Sequence, residues 1–227
     1  MTERPILFNT EMVRAILDGR KTQTRRIIKL APGFGGHPVG ESGNLDNPLG
    51  FMYPCGIKRP PCNKGDILWV RETWCPCASL DSFFDGKNLF VYKADYAEHS
   101  SLPCGWKPSI HMPKEAARIF LLVKDVRIER LRDITNEAAL AEGMPDDLDY
   151  PIAPVYCPRC KGEGLIGSHI GHGFIEVDCP TCDTAMKRFI NLWTSTIKKA
   201  DLPVYSWDAN PWVWVIEFER CEPPKEG

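Results

Sequence analysis

The stretch Gly19-Arg20-Lys21-Thr22-Gln23-Thr24-Arg25-Arg26 is the part of the chain around which the predicted fold is arranged. It closes the first helix pattern, and Gly19 has the position of a left-handed residue that follows a helix C-terminus. Thr10 is predicted to cap the start of that helix. The apolar residues of the helix recur at helical spacing, and they are Met12, Val13, Ile16 and Leu17. Because no apolar residue lies between Arg20 and Arg26, the sequence predicts an exposed loop that carries amine, hydroxyl and guanidinium groups.

Composition restricts the class of protein. The chain has 227 residues, of which 43% are hydrophobic and 26% are charged, as in an ordinary globular protein. No apolar run approaches the roughly 18 residues that span a bilayer, and the N-terminal residues lack the apolar core of a signal peptide. We therefore expect a cytoplasmic protein that does not bind membranes. The formal net charge is −2, so any binding of nucleic acid requires a local basic face.

The rest of the pattern is that of an α+β fold, with several strands of mixed length and few helices. A short helix is predicted at residues 136–142, capped by Thr135 and ended by Gly143, and an amphipathic helix at residues 186–197. Residues 106–113 are bracketed by prolines and predicted to be extended, and residues 31–63 form a long loop. The last strand is apolar enough to lie inside a sheet. The predicted strands are residues 6–8, 67–74, 90–93, 118–130 and 212–219.

The ten cysteines fall into two groups. Two C-x-x-C pairs have the spacing of a four-thiolate zinc site, and they consist of Cys157, Cys160, Cys179 and Cys182. His169 and His172 lie between the pairs, but four sulfurs already fill a tetrahedral shell, so the sequence predicts structural zinc without a catalytic water. The six scattered cysteines are predicted to be free thiols. The alternative is a second metal, bound by four of the five that precede Cys221. The six are Cys55, Cys62, Cys75, Cys77, Cys104 and Cys221.

Four separated segments resemble the ASCH superfamily, whose domains bind RNA and nucleobases and have a PUA-like fold. The first is Ile16-Leu17-Asp18-Gly19-Arg20-Lys21-Thr22-Gln23-Thr24-Arg25. The second, Gly65-Asp66-Ile67-Leu68-Trp69-Val70, is similar to the Gly-Asp turn that leads into a strand in that family. The third runs from Val126 through Leu131 to Ala141-Glu142-Gly143-Met144. The fourth is the closing strand Trp214-Val215-Ile216-Glu217-Phe218.

Two further segments resemble the larger phage and prophage members of that superfamily, which are labelled morphogenetic proteins. They are Trp69-Val70-Arg71-Glu72 and Pro108-Ser109-Ile110-His111-Met112-Pro113. The resemblance implies a small mixed β-barrel of the PUA-like type with flanking helices. Residues 1–150 and 184–227 would form this domain, and residues 151–183 would be an inserted zinc-knuckle module.

Small bacterial members of the superfamily hydrolyse N4-acetylcytidine, and the resemblance implies that Lys21, Thr24 and Glu142 match their catalytic residues. A threonine hydroxyl becomes a nucleophile only when a base takes its proton, and a desolvated lysine can be that base. A carboxylate can orient the amine or carry a proton to the leaving amino group. The alternative is that Thr24 caps a turn and Lys21 contacts phosphate. Glu142 would then only end its helix, with Glu72 as a competing carboxylate.

The resemblance also implies a substrate-binding set, which consists of Arg20, Thr22, Arg25, Arg26, Trp69, Glu72 and Trp74. Tryptophan rings stack on bases, and Trp106 is a third aromatic candidate. A phosphate-binding face is expected from Arg20, Arg25, Arg26 and Lys29, together with Arg127, Arg130 and Arg132. The predicted partner is RNA or a modified pyrimidine nucleoside, and the chain is a candidate amidohydrolase. Two alternatives stay open, a non-catalytic RNA-binding module and a metal-dependent ribonuclease.

Overall fold

The computed structural model describes residues 2–29, 60–76, 90–96, 105–145, 159, 165–170, 173–178, 180 and 184–224. This part of the chain is a mixed α+β structure, as predicted, with a mixed sheet and few helices. The helices are α1 (Thr10–Leu17), α2 (Asn136–Ala141), α3 (Ala185–Thr196) and α4 (Leu202–Tyr205). None of these has the length and apolar character that crossing a bilayer requires. The strands are β1 (Glu3–Leu7), β2 (Gln23–Ile27), β3 (Ile67–Arg71), β4 (Trp74–Pro76), β5 (Phe90–Tyr92), β6 (Phe120–Arg130), β7 (Leu165–Ile170), β8 (Gly173–Asp178) and β9 (Trp212–Cys221).

Five strands are hydrogen-bonded neighbours in one sheet, in the order β1-β3-β6-β9-β2. Strands β1 and β3 are parallel, with Glu3 opposite Ile67. Strand β3 is antiparallel to β6, and β2 is antiparallel to β9, with Gln23 opposite Glu217. The closing strand β9 therefore lies inside the sheet, which confirms its predicted position. Closure of the sheet into a barrel is not detected among the strands that the structure describes.

The chain divides into two compact units. The first unit consists of Met1–Thr22, Cys62–Lys124 and Phe218–Gly227, and the second of Gln23–Pro61 and Asp125–Glu217. Strands β6 and β9 each begin in one unit and end in the other. The antiparallel β7–β8 pair makes up most of the described part of the predicted module at residues 151–183, and more than half of that module lies outside the described residues.

The first helix of the first unit begins with a different cap from the one predicted. Asn9, not Thr10, is the N-cap, and its Oδ1 accepts a hydrogen bond from the Met12 N–H at 2.8 Å. Both residue types are good caps, so the sequence alone did not separate them. Helix α1 then buries Val13 and Ile16 in the core, and each contributes about 1.5–3 kcal/mol of hydrophobic stabilisation.

The predicted strand at residues 67–74 is broken in the structure, so this prediction was wrong in part. Strand β3 ends at Arg71 and β4 begins at Trp74. The backbone N–H of Glu72 donates to the Met112 Sδ at 3.1 Å, and that of Trp74 donates to the Lys107 carbonyl at 3.2 Å. The backbone thus changes partners between the two strands, and an apolar pattern does not reveal such a change.

The sequence predicted that residues 106–113 are extended, and this prediction was wrong in part. Two 3-10 turns interrupt it and continue beyond it, at Ser109–His111 and Lys114–Ala116. Pro108 and Pro113 are the residues that precede the two turns. The prolines therefore mark the entry to tight turns, a position that suits their fixed φ.

The helices of the second unit follow their predicted end signals. The Thr135 Oγ1 accepts from the Ala138 N–H at 3.1 Å, and Gly143 after the helix has a φ of 92°. Helix α3 begins after Thr184, whose Oγ1 accepts from the Lys187 N–H at 3.3 Å. Its largest buried apolar side chains are Phe189, Leu192 and Trp193.

Three of the ten cysteines lie in the described part of the chain. Cys62 and Cys221 are thiols, as expected. The same expectation was wrong for Cys75, which is disulfide-bonded. The four predicted zinc ligands and the other scattered cysteines lie outside the described residues.

Candidate functional site

Eight polar or charged residues are buried in the described part of the chain, and five of them belong to the predicted site. Burial of a polar group costs free energy unless it is hydrogen-bonded or paired, so such positions indicate specific contacts. The five predicted residues are Lys21, Thr24, Arg25, Glu72 and Glu142. The other three are Gln23, Asp66 and Arg188.

The stretch after Gly19 is not the exposed loop that the sequence predicted. Lys21, Thr24 and Arg25 are only 2%, 3% and 6% exposed, whereas Thr22 is exposed. The reason is that residues 23–27 form β2, which pairs with β9 along its whole length. A strand without alternating apolar residues gives no sequence signal of its own.

Lys21 belongs to the first unit, where the turn after α1 determines its position. Gly19 has a φ of 77°, which confirms its predicted left-handed conformation. The backbone N–H groups of Arg20 and Lys21 both donate to the Ala15 carbonyl at 2.9 Å. The Lys21 Nζ lies 5.5 Å from the centroid of the Phe8 ring, so a buried amine faces an aromatic side chain.

Two predicted substrate contacts of the first unit are less buried than Lys21, Arg20 being half-buried and Thr22 exposed. Arg20 forms an ion pair with Asp18 at 2.9 Å. The side chain of Thr22 is exposed, and its carbonyl accepts from the Phe218 N–H at 2.9 Å. Both residues therefore border the buried Lys21 along the chain without sharing its burial.

Glu72 is the more deeply buried of two buried carboxylates in the described part of the first unit, the other being Asp66. It accepts two hydrogen bonds from Arg118, from Nε at 2.9 Å and from Nη2 at 3.0 Å. Asp95 accepts from the Nη1 of the same guanidinium at 2.7 Å, and the Tyr92 ring lies 4.0 Å from the guanidinium carbon. Burial raises the pKa of Glu72, and the hydrogen bonds and charge of Arg118 offset part of that rise. A buried carboxyl group with a raised pKa is a recurrent feature of functional sites. Glu72 therefore remains an alternative to Glu142 as the carboxylate of the site.

The three candidate tryptophans differ in their surroundings, all within the first unit. Trp69 is half-buried, and the Arg71 guanidinium lies 5.5 Å from its ring. Trp74 is buried, and its Nε1 has no hydrogen-bond partner among the described residues. Trp106 is half-buried and contacts Tyr96 edge to face, with ring centroids 5.4 Å apart. Which of them contacts a ligand stays a prediction.

Arg25 is the centre of a buried ion-pair cluster in the second unit. Its Nη1 donates to Glu142 Oε1 and its Nη2 to Glu129 Oε2, both at 3.0 Å. The side chain of Arg25 is 1% exposed, and those of Glu142 and Glu129 are 4% and 23% exposed. The Phe189 ring lies 5.9 Å from the guanidinium carbon. These residues are called the Arg25 cluster below, and they fix the Arg25 side chain on both sides.

The two faces of β2 carry different groups, because side chains alternate along a strand. Gln23 lies on the same face as Arg25, and its Nε2 donates to the Ala138 carbonyl at 2.6 Å. Thr24 and Arg26 lie on the other face, opposite Ile216 and Trp214 in the register with β9. An apolar cluster occupies that face, and it consists of Ile28, Trp214, Val126, Ile128 and Trp212.

The predicted catalytic residues are therefore distributed as follows. Lys21 belongs to the first unit, and Thr24 and Glu142 belong to the second. Glu142 is paired with Arg25, and Thr24 lies on the face of β2 opposite to Arg25. Their joint catalytic role stays a prediction.

Two of the residues that hold the site were not singled out from the sequence. Arg118 binds Glu72, and Glu129 binds Arg25. Glu129 alternates with Arg127 along β6, and its carboxylate accepts from the Arg127 Nε at 2.5 Å. Charge alternation along that strand could have indicated a polar face. Arg118 has no such signal, because its partner Glu72 lies 46 positions earlier in the chain.

No group of three or more potential metal ligands occurs in the part of the chain that the structure describes. The predicted zinc ligands lie outside this part. Comparisons of the chain with protein-family models, curated proteins and solved structures found no match.

Proposed function

We propose that the chain is an RNA- or nucleobase-binding protein of the ASCH type with a PUA-like barrel, and that it hydrolyses an N-acylated pyrimidine nucleoside such as N4-acetylcytidine. The observation that carries this proposal is the burial of the three residues that match the catalytic motif. Lys21, Thr24 and Glu142 are 2%, 3% and 3% exposed. Residues of these types are mostly exposed in proteins, so their burial supports a specific role.

The proposed reaction is an acyl transfer through a covalent intermediate. Lys21 takes the proton of the Thr24 hydroxyl, whose oxygen attacks the acetyl carbonyl. The C–N bond breaks, and the proton that Lys21 took from Thr24 passes through the Glu142 carboxylate to the leaving amino group, which releases cytidine. Water then hydrolyses the acyl ester of Thr24, and acetate leaves. The burial of Lys21 supports its role as the base, because a lysine base requires a desolvated position.

A second candidate function is RNA binding without catalysis. The observation in its favour is the ion pair between Glu142 and Arg25, because a carboxylate held at 3.0 Å by a buried guanidinium has a structural role to perform. In this case RNA binding persists when Lys21 or Thr24 is replaced, and no acylated nucleoside is hydrolysed.

The proposal includes one structural zinc ion bound by Cys157, Cys160, Cys179 and Cys182. Support comes from the β7–β8 pair between the two C-x-x-C motifs, in which Leu165 lies opposite Asp178. The two chain segments that lead to the motifs thus start from the same end of the hairpin, and four thiolates suit tetrahedral Zn²⁺. Elemental analysis of the purified chain should give one zinc per chain. A content well below one would reject the site.

The test of the hydrolase proposal is turnover of N4-acetylcytidine by the purified full-length chain, with cytidine separated by liquid chromatography. Lys21→Ala and Thr24→Ala should each lower the rate by about 1,000-fold or more, because residues that act as one catalytic unit cannot replace each other. Lys198→Ala and Thr194→Ala are matched controls, since both side chains are exposed, and they should retain the wild-type rate. Absence of turnover by the wild-type protein would refute hydrolysis and leave the RNA-binding candidate.

A further inference from the structure

We infer that the second unit binds single-stranded RNA at one end of its sheet, on a surface formed by Lys29, Arg130, Arg132 and Trp212. This surface is called the basic end below. The inference rests on the RNA partner of the proposed function and is independent of hydrolysis.

Backbone pairing brings the four residues to the same end of the sheet. The Ile28 N–H donates to the Trp212 carbonyl at 3.0 Å, and Lys29 follows directly in the chain. The Leu131 N–H donates to the Pro211 carbonyl at 2.9 Å, between Arg130 and Arg132 in sequence. The end of β2, the end of β6 and the start of β9 therefore meet there.

The junction between β6 and β9 fixes the Arg130 side chain and the Arg132 backbone. The Arg130 guanidinium carbon lies 4.2 Å from the centroid of the Trp212 ring, and its Nη1 donates to the Asn210 carbonyl at 3.0 Å. Asn210 has a φ of 46°, and its Oδ1 accepts from the Arg132 N–H at 2.9 Å. A left-handed non-glycine residue with two such contacts indicates a fixed turn, which presents the stacked Arg130–Trp212 pair without further ordering.

Charge separates this surface from three other basic residues that the sequence suggested for phosphate binding. Arg25 and Arg127 are paired with Glu129, and Arg20 is paired with Asp18, so their charges are already compensated. Lys29, Arg130 and Arg132 form no ion pair with a carboxylate of the described residues. Lys29 and Arg132 are exposed, and Arg130 is half-buried. Uncompensated cations of this kind suit the phosphates of a nucleic acid.

The stacked pair favours a single strand over a duplex. Bases of single-stranded RNA stack on aromatic rings and on arginine planes, whereas the bases of a duplex are already stacked on each other. The basic end thus combines stacking surface with positive charge.

The test is titration of a fluorescein-labelled single-stranded RNA with the full-length chain, read by anisotropy at several salt concentrations. The double variant Lys29→Glu/Arg132→Glu should weaken binding at least tenfold. Its log–log salt slope should fall by about 1.4, because each phosphate contact to a single strand contributes about 0.7. The control variant Lys198→Glu/Lys199→Glu makes the same charge change at two exposed lysines of the same unit, and it should bind like the wild type.

Trp212→Leu tests the stacking part of the inference and should weaken binding about fivefold or more, with its salt slope unchanged. If both charge variants lose the same amount of RNA affinity, the effect comes from net charge and the inference is overturned. It is also overturned if poly-glutamate displaces the labelled RNA as well as unlabelled RNA does, because the surface then binds acidic polymers in general. If the wild type binds RNA and the Lys29/Arg132 variant binds equally well, the inference fails alone. If the wild type does not bind RNA, both the inference and the RNA-binding function fail.

Discussion

Replacement of Arg25 by methionine tests whether the Arg25 cluster stabilises the second unit. The substitution keeps an apolar side chain against Phe189 but removes the guanidinium that is paired with Glu142, whose side chain is 4% exposed. Breaking one partner out of a buried pair costs about 3–5 kcal/mol. The wild type, however, carries a buried Arg25 Nε without a hydrogen-bond partner among the described residues, which costs about 1–3 kcal/mol. The variant loses this penalty, so we expect a net destabilisation of about 2 kcal/mol.

The assay is urea unfolding followed by far-UV circular dichroism at neutral pH. The midpoint should fall at unchanged slope, because the exposed surface of the unfolded chain is the same. Lys124→Met is the matched control, since it breaks an ion pair with Glu219 in which the two side chains are 50% and 54% exposed. That change should cost less than about 1 kcal/mol, as exposed pairs do.

A second substitution distinguishes the charge effect from lost packing. Glu142→Gln in the Arg25→Met background removes the negative charge that the first change separated from the Arg25 guanidinium. We therefore expect the double variant to be more stable than Arg25→Met alone. Equal urea midpoints for Arg25→Met and Lys124→Met would refute the reasoning. A double variant that is less stable than Arg25→Met alone would also refute it.

Three further predictions concern the first unit. The pKa of Asp66 is lowered below 3.8, although burial alone would raise it. The lowering comes from hydrogen bonds donated by the backbone N–H groups of Asn63 and Thr2 and from the charge of Arg4. The ionised Asp66 therefore stabilises the fold above pH 3.8, and this stabilisation is lost as the pH falls. Asp66→Asn should accordingly flatten the acid side of a melting-temperature profile, and an unchanged acid side would contradict this. Burial raises the pKa of Glu72 above 4.5, so the native state holds that proton more tightly than the unfolded chain, and stability declines as the pH rises from 4.5 through the raised pKa. Glu72→Gln should remove this decline in urea midpoints measured across the same pH range. Asn9→Ala should cost about 1 kcal/mol through loss of the α1 cap, and no change in the urea midpoint would contradict that role.

The parts of the fold that were predicted correctly depend on local signals. The left-handed Gly19, the Thr135 cap and the Gly143 after α2 each follow from a few neighbouring residues. Strand β2 was not predicted, because Gln23-Thr24-Arg25-Arg26 contains no apolar alternation. Its strand conformation depends on pairing with β9, near the other end of the chain.

The candidate site shows the same division. The family resemblance directed attention to Lys21, Thr24 and Glu142, and all three are buried. The resemblance did not reveal Glu129, the second carboxylate that binds Arg25, because Glu129 lies 104 positions from Arg25 in the chain. Ion pairs at such separations are decided by the packing of whole elements, for which a single sequence contains no direct signal.

The pairing of β2 with β9 has a consequence for the biosynthesis of the chain. Gln23 lies opposite Glu217, about 190 residues later, so β2 leaves the ribosome long before its partner exists. At about 5–20 residues per second the interval is about 10–40 s. During this time its backbone N–H and C=O groups are available to any other nascent strand. The polar side chains of this segment make such pairing unfavourable, as charged residues do on the edges of native sheets.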